Sequence, residues 1–221
     1  TGIPESMGGS GDPSPVTAYG VFMGMKAAAH HRWGSDNLEG KKVMVQGIGH
    51  VGETLVKHLT EAGARVTIND IHEDRLIAVS EKYNTSIFKG HNIFEDDMDI
   101  YAPCALGATV NSVTIPMMKC EIIAGAANNQ LADERVHGQM VKEAGILYAP
   151  DFLINAGGLI NVYSEIVHYD RAESLRRTEN IYDTTLDIFT MSDKEGITTH
   201  EAALKIAMKR VEDRKLELTN A

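Results

Sequence analysis

Two periods of hydrophobic positions alternate along the chain. In KKVMVQGIGHVGETLVKHLTEAGARVTIND, residues 41–70, Val43, Met44 and Val45 form an unbroken apolar run between Lys42 and Gln46. Such a run predicts a strand buried on both faces of a parallel sheet. Val51, Leu55, Val56 and Leu59 then recur at spacings of three and four, which predicts a helix closed by Gly63. Arg65 to Ile68 predict a second strand, ending on Asn69-Asp70. The alternation continues with a helix over 73–83, a strand at 86–88, and a strand at 100–103 that stops at Pro103. A short helix follows from Thr114-Ile115-Pro116, then a strand at 121–124. Asp133 caps a helix reaching Ala144, with Gly145 as its stop, and a last strand at 146–148 ends on Pro150-Asp151.

The ends of the chain read differently. Residues 1–15, TGIPESMGGSGDPSP, are rich in glycine and proline and predict a loop. A helix is expected from Ser14-Pro15 to Trp33-Gly34, with Ser14 as N-cap and Pro15 at its first position. Val16, Val21, Met25 and Ala28 give that helix its apolar face. Beyond Asp151 no strand is expected. Three helices are, over about 157–170, 171–192 and 199–218, the last charged on most faces.

Strands alternating with helices at this spacing predict parallel βαβ units with right-handed crossovers. The fold expected is α/β: a Rossmann-type doubly wound parallel sheet with C-terminal helices. Residues 1–34 form a loop and inter-domain helix, 35–155 the sheet domain, and 156–221 a helical segment. In such sheets ligands sit beyond the carboxyl ends of the strands. The polar and glycine-bearing pieces fall there: Gly47 to Gly52, Asp70, Cys104 to Gly107, Asn128-Asn129 and Asn155 to Gly158.

Gly47, Gly49 and Gly52 form G-x-G-x-x-G between the first strand and the first helix. The first glycine permits a tight turn, the second a close approach to a pyrophosphate, the third helix–strand packing. The helix N-terminus offers free N–H groups and partial positive charge. Asp70 would accept hydrogen bonds from both ribose hydroxyls, favouring NAD over NADP.

A formal charge of −10 and a pI near 5.3 argue against nucleic-acid or anionic-membrane partners. No apolar run has the length of a membrane span. There is no HExxH and no Cys/His cluster at zinc spacing, so no metal is expected; the acidic run EDDMD (95–99) reads as a solvated loop. Cys104 and Cys120 lie outside any CxxC, read as small core residues, and suggest a reducing, cytoplasmic setting. The chain starts at Thr1 without a methionine or a leader pattern, which suggests a beginning inside a longer polypeptide.

Five motifs carry a family resemblance: GGSGDPSPVTAYGV (8–21), VQGIGHVGE (45–53), YAPCALGATVN (101–111), AANNQL (126–131) and APDFLINAGGLINV (149–162). With them the chain resembles the amino-acid dehydrogenases of the glutamate/leucine/phenylalanine/valine group, most of all the leucine dehydrogenases. The resemblance implies NAD-linked oxidative deamination of an L-amino acid to its 2-keto acid and ammonia. It implies an aliphatic, branched-chain substrate and a homo-oligomer for the full-length enzyme. It places the catalytic lysine and aspartate in a substrate domain upstream of these residues. No glycine-rich lysine segment occurs here, and Asp12, in SGDPSP, is not that aspartate. By this reading the chain is the cofactor-binding part and is inactive alone.

The cofactor-contacting residues implied are Gly47, Gly49, His50, Val51 and Gly52 in the turn, Asp70, the Cys104-Ala105-Leu106 loop, and Asn128, Asn129 and Asn155. Asn128 and Asn129 match an asparagine loop near the nicotinamide ribose; the resemblance leaves open which of them makes the contact. Thr17 matches a threonine near both nicotinamide and substrate, and Leu159 and Val162 match aliphatic positions against the substrate side chain. Spaced three apart, Leu159 and Val162 also suit plain core packing. His50 stands where related loops carry asparagine, and reads as a solvent-facing residue. Two alternatives remain: an NAD-binding module without catalysis, and a phenylalanine- or glutamate-directed member of the same group.

Overall fold

A computed structural model of the chain describes residues 3–167 and 170–219. Six strands form one parallel sheet: β1 (Lys42–Gln46), β2 (Arg65–Asn69), β3 (Ser86–Ile87), β4 (Ile100–Pro103), β5 (Ile122–Ile123) and β6 (Leu147–Tyr148). Their order is β3-β2-β1-β4-β5-β6, so the winding reverses between β1 and β4. That is the doubly wound order, and the reversal opens a crevice at the carboxyl ends of β1 and β4. Register runs Val43 to Val66 on one side of β1 and Val43 to Ile100 on the other.

The apolar run in β1 is explained by two cores, one on each face. Val43 and Val45, with Ile68, Ile100, Ala102 and Ile122, join a core shared with α1 (Ser14–Trp33), α2 (His50–Glu61) and α3 (Glu73–Tyr83). Met44, Tyr101 and Ile123 point to the opposite face, against α4 (Glu134–Glu143) through Val141 and against Ile115 and Leu131. Adjacent residues of one strand thus serve different cores, as the two-residue period of a strand requires.

The first face carries the thicker layer. α7 (Arg171–Glu195) lies along α1 and contributes Ile181, Ile188 and Phe189 to its core; the start of α8 (Thr199–Thr219) adds Ala202 and Ala203. Beyond Ile206 every described residue of α8 is exposed, as its charge pattern predicts.

Several boundaries differ from expectation. Pro13 occupies the N-cap of α1, and the carboxylate of Asp12, not Ser14, accepts the amide of Ser14 at 2.9 Å. A short helix, α5 (Asp151–Ile154), follows β6 directly, because the buried Asp151 carboxylate accepts the amides of Phe152 and Gln130 at 2.7 and 2.9 Å. The helix expected over 157–170 is α6 (Gly157–Ser164) followed by a 3-10 turn at Glu165–Val167; its expected continuation through 168–169 lies outside the described residues. Glu165 ties α6 to the N-terminal loop by accepting the Ser10 amide and hydroxyl, each at 2.7 Å.

Candidate functional site

The glycine turn is built around a buried plug, Ile48, which the first core encloses completely. Gly47 has φ +91°, a conformation that side-chain-bearing residues rarely adopt, and its amide donates to Asn69 O at 2.7 Å. A Cβ on Gly52 would lie 2.0 Å from Gly47 O, so helix and turn close together only because that carbon is missing. Gly49 is different: a Cβ there would meet nothing within 4 Å. Gly49 is also the N-cap of α2, and no side chain caps the helix. A helix start without a side-chain cap, with open space where a side chain would stand at Gly49, fits a phosphate-bearing ligand.

Asp70 closes the turn from the neighbouring strand. Its Oδ2 accepts the Ile48 amide at 2.8 Å and its Oδ1 the His72 amide at 3.0 Å. Arg75 Nη1 stands 4.0 Å from Oδ2. Partial burial pushes the carboxyl pKa up, but the two amides and the Arg75 charge outweigh it and hold the group below its ordinary value.

A cleft of about 400 Å³ opens between this turn and the loop after β4. Of the residues expected at the cofactor, Gly47, Gly49, Asp70, Cys104, Ala105 and Leu106 line it. Sequence reading missed Gln46, Asn69, Ile71, His72, Arg75 and Thr109, which line it too. Gln46 and Asn69 end β1 and β2 and could have been found from their neighbours; Ile71 and His72 lie in the β2–α3 connection, and Arg75 in the first turn of α3. Tyr101, wholly buried, donates its hydroxyl to Gln46 Oε1 and so fixes that side chain from below.

The remaining expected residues do not line the cleft. Val51, in the first turn of α2, packs partly against the first core. His50 is exposed, its Nδ1 3.3 Å from Asp12 Oδ2 at the head of α1. Asn155 donates to Asn128 Oδ1 at 2.7 Å and to Ala126 O at 3.2 Å. Asn129, in a left-handed conformation at φ +54°, accepts the Ala108 amide at 2.7 Å, which binds this loop to the one carrying Cys104 to Leu106. Thr17 donates its hydroxyl to Pro13 O at 2.9 Å and touches α6 at Gly158, where a Cβ would lie 2.4 Å from Oγ1. Leu159 is 73% exposed and so is not core; Val162, half-buried, is its neighbour on α6. These contacts link the loops after β4 and β5, the α5–α6 connection and the starts of α1, α2 and α6.

Other chemistries find less support. Burial pushes the thiols of Cys104 and Cys120 up to about 12, so neither is a thiolate at neutral pH. Ser112 Oγ lies 3.0 Å from His137 Nε2. His137 Nδ1, however, accepts the Asp133 amide at 2.8 Å, so Nε2 bears the hydrogen and donates to the serine. That tautomer cannot take the serine proton, and the pair is not a nucleophile with its base. Among the described residues no three His, Cys, Asp or Glu side chains gather as metal ligands, and no helix is long and apolar enough to cross a membrane.

The fold and the position of the cleft define a doubly wound α/β protein with its candidate site at the switch point of the sheet. Comparison with known proteins makes the class specific. The family model for glutamate/leucine/phenylalanine/valine dehydrogenase matches residues 8–73 and 67–217. Leucine dehydrogenase of Bacillus cereus is 50% identical over 211 residues, covering 96% of this chain and 57% of that protein. Phenylalanine dehydrogenase of Thermoactinomyces intermedius is 46% identical over 212 residues, covering 95% of this chain and 58% of that one. The crystal structure of L-tryptophan dehydrogenase from Nostoc punctiforme superposes with a TM-score of 0.90 at 46% identity, over 93% of this chain and 62% of that one. The chain therefore belongs to the glutamate/leucine/phenylalanine/valine dehydrogenase family, and spans less than two thirds of the length of these relatives.

Proposed function

We propose that this chain is the cofactor-binding part of an NAD-dependent amino-acid dehydrogenase that deaminates a branched-chain L-amino acid, leucine foremost, to its 2-keto acid and ammonia. The observation that carries the reading is the cleft, where the uncapped start of α2, the open position at Gly49 and the Asp70 carboxylate meet. Gly47 to Gly52 would hold the diphosphate, Asp70 the adenosine ribose, and Asn128, Asn129 and Asn155 the nicotinamide end. Bound NAD supplies the hydride acceptor. The residues here contribute orientation, holding that acceptor against the reacting carbon.

In this reading residues 35–155 hold the cofactor, while 1–34 and 156–221 form the hinge-side helices. Proton handling by lysine and aspartate belongs to a substrate domain outside these residues. Thr17, Leu159 and Val162 would face that domain across the cleft, and the exposure of Leu159 supports such a position. A homo-oligomeric full-length enzyme in the cytoplasm is part of the same proposal.

One observation favours a second reading of the substrate. Leucine, phenylalanine and tryptophan dehydrogenases stand at similar identity to this chain, 50%, 46% and 46%. An aromatic amino acid is therefore the alternative. Spectrophotometric assay of the full-length protein with NAD and each amino acid in turn tests both. Leucine-dependent NADH formation is expected; turnover of none of them, by a folded full-length protein, overturns the proposal, and so does leucine oxidation by these 221 residues alone.

A further inference from the structure

Gln130 is wholly buried, and its side chain works where the pairing of β5 has ended at Ile123. The carboxamide donates back into the loop that follows β5, to Gly125 O at 2.7 Å and to Ala127 O at 3.0 Å. Buried carbonyls need such partners, and here one side chain supplies both. The Gln130 amide is itself anchored, donating to the buried carboxylate of Asp151 at 2.9 Å. With its two hydrogens turned to carbonyls, the carboxamide leaves its own Oε1 without a hydrogen-bond partner among the described residues. Plain core packing would not incur that cost.

The loop held in this way is the seat of a cleft wall. Asn129 O accepts the Ala108 amide at 2.7 Å, and Gln130 O accepts the Val110 amide at 3.0 Å. A Cβ on Gly107 would lie 2.6 Å from Asn128 O and 2.8 Å from Asn129 O, so no side chain fits between the two segments. Cys104, Ala105, Leu106 and Thr109, on the seated segment, line the cleft, whereas Gln130 does not. Ala105 in turn meets the glycine turn: a Cβ on Gly47 would lie 2.5 Å from that of Ala105. A shift of the loop after β5 therefore moves the wall that faces the turn.

We propose that Gln130 is a positioning residue of the cleft, its carboxamide setting the loop after β5 on which the wall from Cys104 to Thr109 is seated. This rests on the dinucleotide reading above, and adds to it a residue that touches no ligand.

The test is calorimetric titration of the chain with NAD below its unfolding transition, for the wild type, Gln130→Met and Gln130→Glu, with melting temperatures alongside. Gln130→Met keeps the length of the side chain and removes both donors. It should weaken NAD about tenfold, within the range for residues that act on a ligand through packed neighbours. Gln130→Glu, neutral when buried, keeps one donor and should fall between. At saturating NAD, amide NMR of Gln130→Met should retain the wild-type shifts of Gly49 to Gly52 and lose those of Ala105 and Leu106. A merely structural glutamine would lower the melting temperature and leave NAD affinity and the shift pattern as in the wild type, which overturns the inference. So does a loss spread evenly over both walls. Should Gln130→Met not fold, Gly107→Ala disturbs the same seat from the other segment; it should weaken NAD equally, and unaltered affinity overturns the inference. No binding of NAD by the wild type removes the dinucleotide reading and this inference together, whereas wild-type binding unaltered by the substitutions removes the inference alone.

Discussion

The carboxylate of Asp70, at the end of β2, accepts a 2.8 Å hydrogen bond from the amide of Ile48, inside the turn that leaves β1. Two adjacent parallel strands are thereby locked together beyond their carboxyl ends, where backbone pairing has stopped. One residue shapes the turn and charges the cleft, so its removal should register in stability and in binding alike.

Asp70→Ala is expected to lower unfolding free energy by about 1–3 kcal/mol, the range for losing hydrogen bonds to a charged group. Asp70→Asn keeps one acceptor for Ile48 and should cost less. Urea unfolding of the three proteins checks the order. An alanine variant as stable as the wild type would show that the contact does not hold the turn.

Gly49 and Gly52 share a motif but not a physical role. Gly52→Ala drives a methyl group to 2.0 Å from Gly47 O and should destabilise by about 2 kcal/mol or more, the cost of overpacking against backbone. Gly49→Ala meets open space and should change stability by no more than about 1 kcal/mol, the cost of a poorer N-cap. NAD affinity should nevertheless fall in Gly49→Ala, because the methyl group fills the place of a ligand. Thermal denaturation and calorimetry on both variants separate the effects; equal destabilisation by the two would contradict this division.

Stability should decline in acid through identifiable carboxylates. Hydrogen bonds from Ser14 hold Asp12 below the ordinary carboxyl range, and the Val136 and Arg135 amides do so for Asp133. Asp70 is held low by amides and Arg75 despite burial. With folded pKa values below unfolded ones, this stabilisation is complete above about pH 4 and is lost as pH falls through the folded values. The urea midpoint should therefore be level from pH 7 to about 5 and drop toward pH 3. A midpoint unchanged down to about pH 3 would count against these contacts.

Leu159 is 73% exposed, so Leu159→Ala should leave the melting temperature of this chain nearly unchanged. In the full-length enzyme it should reduce kcat/KM for leucine by about tenfold, since an aliphatic contact is worth ~1–3 kcal/mol of discrimination. Unaltered kinetics with leucine would remove Leu159 from the substrate pocket.

What the sequence made legible was local and periodic. The run Val43 to Val45, the glycine spacing and the acidic end of β2 each follow from contacts within one βαβ unit. The departures come from convergence in space. Arg75 sits on α3 among charged neighbours and carries no pattern of its own; only the fold brings it to 4.0 Å from Asp70. Asp12 displaced Ser14 as the group bonding the start of α1 because Pro13 has no amide and fixes the backbone, leaving the Ser14 amide to the side chain two residues back. α5 was hidden in the same way: Pro150 does end β6, but the buried carboxylate of Asp151 draws the chain straight into a helical turn.

The central claim is that the Gly47–Gly52 turn and Asp70 grip one dinucleotide, and backbone amide NMR of the 24.1 kDa chain during NAD titration tests it most directly. The account expects saturable shifts that are largest at Gly49, His50, Val51 and Gly52, at Asp70, and at Ala105 and Leu106. Shifts confined to other parts of the chain, or none at ligand excess, would contradict it.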